Sequence, residues 1–233
     1  MPATPYTRNT PAYPAAGWIT LATDDGHTLD AFQVVPTAPK GSVVVLQEIF
    51  GVNPHIQQVA RQLAALGYAA IAPAMFDRLQ KNVSLPYDKT GIEQGKTLMG
   101  GMSLDVAMHD VAAAVKHSAP FGAVAVLGFC WGGSLAWLAA GRLPVAGAIA
   151  YYGGQIGALL DHAPNRPMLT HFGELDASIP KEVAGAVTER FGTVVNHLYP
   201  AGHGFNCDER ASFDKASSAL AWRRTSGFLD AII

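Results

Sequence analysis

Gly128-Phe129-Cys130-Trp131-Gly132-Gly133 decides how this chain is read. The apolar run Val124-Ala125-Val126-Leu127 precedes it and reads as a buried strand, and Ser134-Leu135-Ala136-Trp137-Leu138-Ala139-Ala140 follows it and reads as a helix. Strand, Gly-x-nucleophile-x-Gly and helix together make a nucleophile elbow. The turn is too sharp for side chains beside the nucleophile, hence Gly128 and Gly132. It also leaves the backbone N–H after the nucleophile free to face an oxyanion. The nucleophile here is a thiol, Cys130, in place of a hydroxyl.

Working outward, the chain alternates strands with helices. Trp18–Leu21 and Thr28–Val35 alternate in polarity around the turn Asp24-Asp25-Gly26 and read as an antiparallel hairpin. Further strands are expected at Ser42–Gln47, Ala69–Ala72, Val145–Tyr151, Met168–Phe172 and Thr193–Tyr199. Asn53-Pro54 reads as a cap and first helical residue, with the helix running to Leu66 and stopped by Gly67. Ser103 caps a helix carrying Val106, Val111 and Val115; others are expected around Pro180–Arg190 and Phe213–Leu229. Pro73–Thr90 reads as a loop that suits a mobile lid. This alternation predicts an α/β fold, a mostly parallel sheet flanked by helices on both faces. No repeat, low-complexity stretch or linker divides it, so residues 18–233 are expected to form one domain behind an extended, proline-rich tail at 1–17.

Composition narrows the function classes. Hydrophobic residues make up 49% and charged residues 15% of the 233, enough apolar side chain for a sheet buried on both faces. The net charge of −2 and the lack of a basic tract argue against nucleic acid as a partner. No apolar run reaches membrane-spanning length. The N-terminus lacks the basic start and apolar core of a signal peptide, so a cytoplasmic location is expected. In that compartment Cys130 and Cys207 are not expected to pair, and Cys207 reads as a small buried hydrophobe. No His/Cys/Asp group has metal-ligand spacing along the chain, so neither metal nor other cofactor is expected. Gly95-Lys96-Thr97 echoes the end of a phosphate-binding loop, but Thr90 stands where its first glycine belongs.

A thiol elbow needs a base, an orienting acid and oxyanion donors. In this layout the order along the chain is nucleophile, acid, histidine. Gly173-Glu174-Leu175-Asp176 follows one late strand and Ala201-Gly202-His203-Gly204-Phe205 the next. Both loops lie at carboxyl ends of strands, where open α/β sheets place their sites. His203 stands in a glycine-flanked turn and is the expected base. Asp176 is the expected acid, with Glu174 and then Asp161 as competitors. Gln47-Glu48-Ile49-Phe50-Gly51 directly follows another strand, so the Ile49 and Trp131 amides are the expected oxyanion donors. Glu48 is unexpected after an apolar strand. It either pairs with an arginine, caps the Asn53 helix or interacts with the thiol.

These four motifs, Gln47–Gly51, Gly128–Gly133, Gly173–Asp176 and Ala201–Phe205, with Tyr151-Tyr152-Gly153 resemble the dienelactone hydrolases (carboxymethylenebutenolidases), in order from about Trp18 to the C-terminus. The resemblance implies an α/β-hydrolase fold, a monomer or loose homo-oligomer, no metal, and a small lactone or ester substrate. It implies that Cys130 forms an acyl-enzyme, that His203 oriented by Asp176 is the base, and that Glu48 takes the thiol proton once substrate draws it from an arginine. The family holds the substrate carboxylate with two arginines. One is kept as Arg78 in Pro73-Ala74-Met75-Phe76-Asp77-Arg78, while the other position is Cys207, with Arg210 nearby. Cysteine cannot replace a bidentate guanidinium. Phe76 and Tyr151 are candidate pocket walls, with core packing the equal alternative. The departure at Cys207 leaves room for a thiol-dependent esterase or thioesterase acting on a neutral ester. A ligand-binding protein without catalysis is the remaining class.

Overall fold

The structure, a computed structural model, describes residues 16–233. Eight strands run β1 (Ala16–Ala22), β2 (Thr28–Val34), β3 (Ser42–Leu46), β4 (Ala69–Pro73), β5 (Val124–Phe129), β6 (Gly147–Tyr151), β7 (Met168–Gly173) and β8 (Val194–Tyr199). The helices are α1 (Pro54–Ala65), α2 (Lys89–Gly100), α3 (Leu104–Ser118), α4 (Trp131–Arg142), α5 (Lys181–Arg190) and α6 (Lys215–Ile232). One sheet holds all eight strands in the order β1-β2-β4-β3-β5-β6-β7-β8. The β1–β2 and β2–β4 pairs are antiparallel and the remaining pairs parallel. This is the mostly parallel sheet expected from the strand–helix alternation, in the α/β-hydrolase arrangement that the resemblance implies. β1 begins at Ala16, so the last two residues of the expected tail belong to the sheet, and residues 1–15 lie outside those described.

Strands β3 to β7 are buried at every residue, which is why they read as mostly apolar runs rather than alternations, with Ser42, Thr170 and His171 as the polar exceptions. The chain leaves β3 toward β4 on one side and returns to β5 on the other. The crevice between the ends of β3 and β5 is therefore the topological switch point, where open sheets bind ligands. Helix starts follow their caps: Asn53 Oδ1 accepts from the Ile56 amide at 3.2 Å, and Ser103 Oγ from Val106 at 3.2 Å. No helix among the described residues is long and apolar enough to cross a membrane.

The segment expected as loop is more structured than its sequence suggests. Ser84 bridges back to Gly51, and α2 follows with the Asp88 side chain accepting from the Gly91 amide at 2.8 Å. Gly91, Gly95 and Gly100 suppress the helical signal of α2, since each costs about 1 kcal/mol against alanine. Two of them are required by packing. A Cβ on Gly91 would overlap the Pro86 carbonyl oxygen, and one on Gly95 the Ile49 carbonyl oxygen. Gly95 thus lets α2 lie directly on the loop after β3.

Candidate active site

Cys130 joins β5 to α4 at φ +53° and ψ −116°, a region costing a side-chain-bearing residue of order 1–3 kcal/mol. The surrounding backbone enforces it. The Cys130 amide donates to the Tyr151 carbonyl at 2.9 Å, and the Gly132 amide to the Gln47 carbonyl at 3.1 Å. A Cβ on Gly128 would overlap the Gly132 carbonyl, and one on Gly132 the Leu46 carbonyl. The elbow is therefore wedged between β3 and β6, with the thiol at the positive end of α4. Trp131 is the first residue of α4, so its amide has no acceptor within the helix.

The thiol is in hydrogen-bonding reach of the His203 ring, and His203 Nδ1 lies 2.7 Å from Asp176 Oδ2. The other Asp176 oxygen accepts from the amides of Ser178 at 2.8 Å and Ile179 at 3.1 Å, which locks the carboxylate. Burial works against the imidazolium, but Asp176 and Cys130 outweigh it and raise His203 to about 10. The two competing acids stand apart from this ring. Glu174 is exposed, and Asp161 is held by Arg190 at 2.6 Å on the surface. The Tyr152 ring packs 5.1 Å from that of His203; its backbone is also left-handed, at φ +39°.

Glu48 is fully buried, yet both its oxygens are matched. Arg210 Nη1 donates to Oε1 at 2.9 Å and the Tyr87 hydroxyl to Oε2 at 2.9 Å. The arginine partner is thus Arg210, and the helix-cap alternative belongs to Asn53. Arg210 reaches Glu48 across Gly204 (φ +77°), where a Cβ would collide with the guanidinium. Its guanidinium carbon also lies 5.7 Å from the ring centres of Phe50 and Tyr87. Gln47 braces the same loop: its side chain donates to the Glu48 carbonyl at 3.2 Å and accepts from the Met75 amide at 3.1 Å.

A cavity of about 360 Å³ opens above Cys130 and His203, the size of a small-molecule site. Ile49, Phe50, Trp131, Ile92 and Met99 make its walls apolar, and Lys96, Gln155, Ser178 and Arg210 supply polar groups. Of the recognition residues expected from sequence, Arg78, Phe76, Tyr151 and Cys207, none is among those lining it. Arg78 is committed elsewhere: its Nε lies 3.0 Å from both Asp110 oxygens, and its Nη1 lies 2.8 Å from Asp25. Those acids hold its guanidinium well above its ordinary pKa. Phe76 stacks on Trp131 with ring centres 5.2 Å apart and supports the wall from behind. Tyr151 is core, its hydroxyl bonded to Thr225 at 2.7 Å. Cys207 is buried beside Tyr87, its thiol pushed up to about 12, chiefly by burial.

Sequence reasoning missed Tyr87, Lys96, Gln155 and Ser178. The Asp88 cap was the available sign that a helix carries Lys96 toward the site. Ser134 Oγ, accepting from the Gln155 amide at 2.9 Å, ties Gln155 to the elbow helix, a contact with no local signature.

The chain matches the model of the dienelactone hydrolase family over residues 29–233. It is 33% identical over 223 residues to carboxymethylenebutenolidase of Pseudomonas putida, covering 91% of this chain and 94% of that one. Identity to carboxymethylenebutenolidase 1 of Cupriavidus pinatubonensis is 30% over 218 residues, covering 89% and 93%. Among solved structures, a Klebsiella pneumoniae protein assigned as a dienelactone hydrolase superposes with a TM-score of 0.77 at 28% identity, over 92% of this chain and 98% of the other. A Pyrococcus furiosus esterase shares the fold with a TM-score of 0.71 at 16% identity, over 94% and 93%. By sequence along nearly its whole length and by fold, this chain belongs to the dienelactone hydrolase family.

Proposed function

We propose that this chain opens a carboxylate-bearing lactone or ester through a Cys130 acyl-enzyme. Family membership makes it a hydrolase of carboxylic esters or lactones. The observation that carries the thiol mechanism is Cys130, held at φ +53° in reach of a His203 that is itself 2.7 Å from Asp176.

Cys130 Sγ attacks the carbonyl carbon with its proton already resting on His203 as the imidazolium. The oxyanion is received by the Ile49 and Trp131 amides, a pair of fixed donors worth about 3 kcal/mol each. Collapse breaks the C–O bond, the leaving oxygen takes a proton, and a thioester remains. Acylation removes the free sulfur beside His203, and with it part of what holds the imidazolium. The ring then falls back toward the range in which it deprotonates water. That water cleaves the thioester and restores the thiol.

Glu48 supports a second route for the first proton. Arg210 bridges Glu48 and the cavity, so a substrate carboxylate that attracts Arg210 frees Glu48 to accept the thiol proton. Lys96, exposed on α2, is the second cation facing the cavity and takes the place expected of Arg78. A neutral ester remains the rival substrate because Glu48 already matches the Arg210 charge.

The deciding experiment measures kcat/KM on cis- and trans-dienelactone beside a neutral p-nitrophenyl ester. A clear preference for the dienelactones is expected. Turnover of the neutral ester alone removes the carboxylate from the proposal, and turnover that survives Cys130→Ala removes the acyl-enzyme. Iodoacetamide labelling separates the two proton routes. Loss of labelling in His203→Asn with none in Glu48→Gln supports His203, whereas labelling slow in the free enzyme and quickened by a substrate analogue supports Glu48.

A further inference from the structure

Cys207 stands where the resemblance places an arginine, and the fold gives it two new neighbours. His55 lies in the first turn of α1, far from it in sequence, and Asp208 follows it directly. One ligand atom from each of the three falls within 4.8 Å of the others, with His55 Nδ1 3.7 Å from Asp208 Oδ1. We propose that His55, Cys207 and Asp208 form a three-ligand site for a borderline-soft divalent cation of the zinc class.

The donor set is imidazole, thiolate and carboxylate, the ligands such cations take at about 2.0–2.3 Å. A tetrahedron with those bond lengths has edges of about 3.3–3.8 Å. The His55–Asp208 separation already falls in that range, and Asp208 is exposed and able to close the remainder. The His55 side chain is only 6% exposed, and its Nδ1, the nitrogen that faces Asp208, stands 3.7 Å from that carboxylate, too far for a hydrogen bond. The ring is held edge-on to Phe129 and Tyr87, at 6.1 and 6.5 Å. A separate cavity of about 270 Å³, lined by His55, Asn206 and Asp208, leaves room for a water as fourth ligand. It shares no lining residue with the Cys130 cavity.

Loading forms a sulfur–metal bond and sends the Cys207 proton to solvent, with no change of oxidation state. The site also touches the candidate active site. Tyr87 has one hydroxyl proton, donated to Glu48, and its oxygen lies in reach of the Cys207 sulfur. A thiol donates to that oxygen, whereas a metal-bound thiolate competes with Glu48 for the proton.

Cobalt(II) is the probe, because thiolate ligation gives a sulfur-to-cobalt charge-transfer absorption. The Cys130→Ala full-length chain excludes the other thiol. The expected result is a band that saturates at one cobalt per chain, is displaced by zinc, and disappears with Cys207→Ser. Asp208→Asn, at an exposed position that leaves folding intact, is expected to weaken binding at least tenfold. No band in Cys130→Ala, a band that survives Cys207→Ser, or unchanged affinity in Asp208→Asn overturns the proposal.

Discussion

The elbow at Gly128–Gly133 and the opposite wall of the cavity, Met75–Gly100, are built on different principles. At the elbow the constraints are backbone against backbone. Gly128 faces the Gly132 carbonyl, Cys130 is pinned to Tyr151, and α4 starts at once. On the opposite wall the constraints come from afar. Arg78 goes to Asp110 and Asp25, Gly95 sits on Ile49, and Tyr87 reaches Glu48. Reaction geometry held by short backbone contacts survives a change of substrate. Recognition held by long side chains depends on which acid stands nearest. Here that rule moves Arg78 out of the site and brings Arg210 and Lys96 in.

The sharpest way to break this contrast is at its centre. Cys130→Ala is expected to lower hydrolysis by about 10⁴-fold or more, with stability nearly unchanged, since alanine meets the same backbone strain. Cys130→Gly is expected to unfold at about 1 kcal/mol higher free energy than Cys130→Ala in urea titration. More than a per cent of residual turnover would show that the elbow does not carry the nucleophile.

Asp176→Asn comes next, with an expected loss of about 10²–10⁴-fold in kcat and little change in KM. It also has a pH signature. His203 is raised from 6.5 to about 10, so its stabilisation is complete below about pH 6.5 and is lost as pH climbs toward 10. Wild-type unfolding free energy should fall across that window, and the fall should flatten in Asp176→Asn. A parallel pH profile in the two proteins argues against the pairing.

On the opposite wall the effects shift from rate to stability and binding. Arg78→Met strands the buried Asp110 and is expected to cost about 3 kcal/mol, with KM for a carboxylate-bearing substrate changed less than twofold. A large KM effect would return Arg78 to substrate recognition. Gly95→Ala drives a methyl into the Ile49 carbonyl and is expected to cost about 1–3 kcal/mol and to lower kcat, because the Ile49 loop must shift. Unchanged kinetics there would separate α2 from the oxyanion loop. The smallest effect belongs to Lys96→Met, about a tenfold rise in KM for a carboxylate-bearing lactone and none for a neutral ester. Equal effects on both substrates would make Lys96 a solvated surface charge.

Most strands were readable because β3 to β7 are buried on both faces and carry mostly apolar runs. Helix α2 was not, because its glycines serve close approach and hide the periodicity. Cys130, Asp176, His203 and Glu48 stood out because each directly follows a strand in a short loop. Asp176 was ranked ahead of Glu174 on sequence, and burial with the 2.7 Å contact to His203 sets the two apart. Arg210 was visible as a neighbour of Cys207, but Gly204 as the gap that admits its guanidinium was not.

The motifs carry the resemblance to the family, and what the sequence determined by itself is the mostly parallel α/β layout and the thiol elbow. These follow from local rules: apolar runs, caps, and the Gly-x-nucleophile-x-Gly spacing. Only the tertiary structure decided which cations face the cavity, which acid meets His203, and that Cys207 turns away toward His55. Those outcomes depend on contacts between residues distant in the chain, where the partner of a charged side chain is set by packing and distance and leaves no local pattern to read.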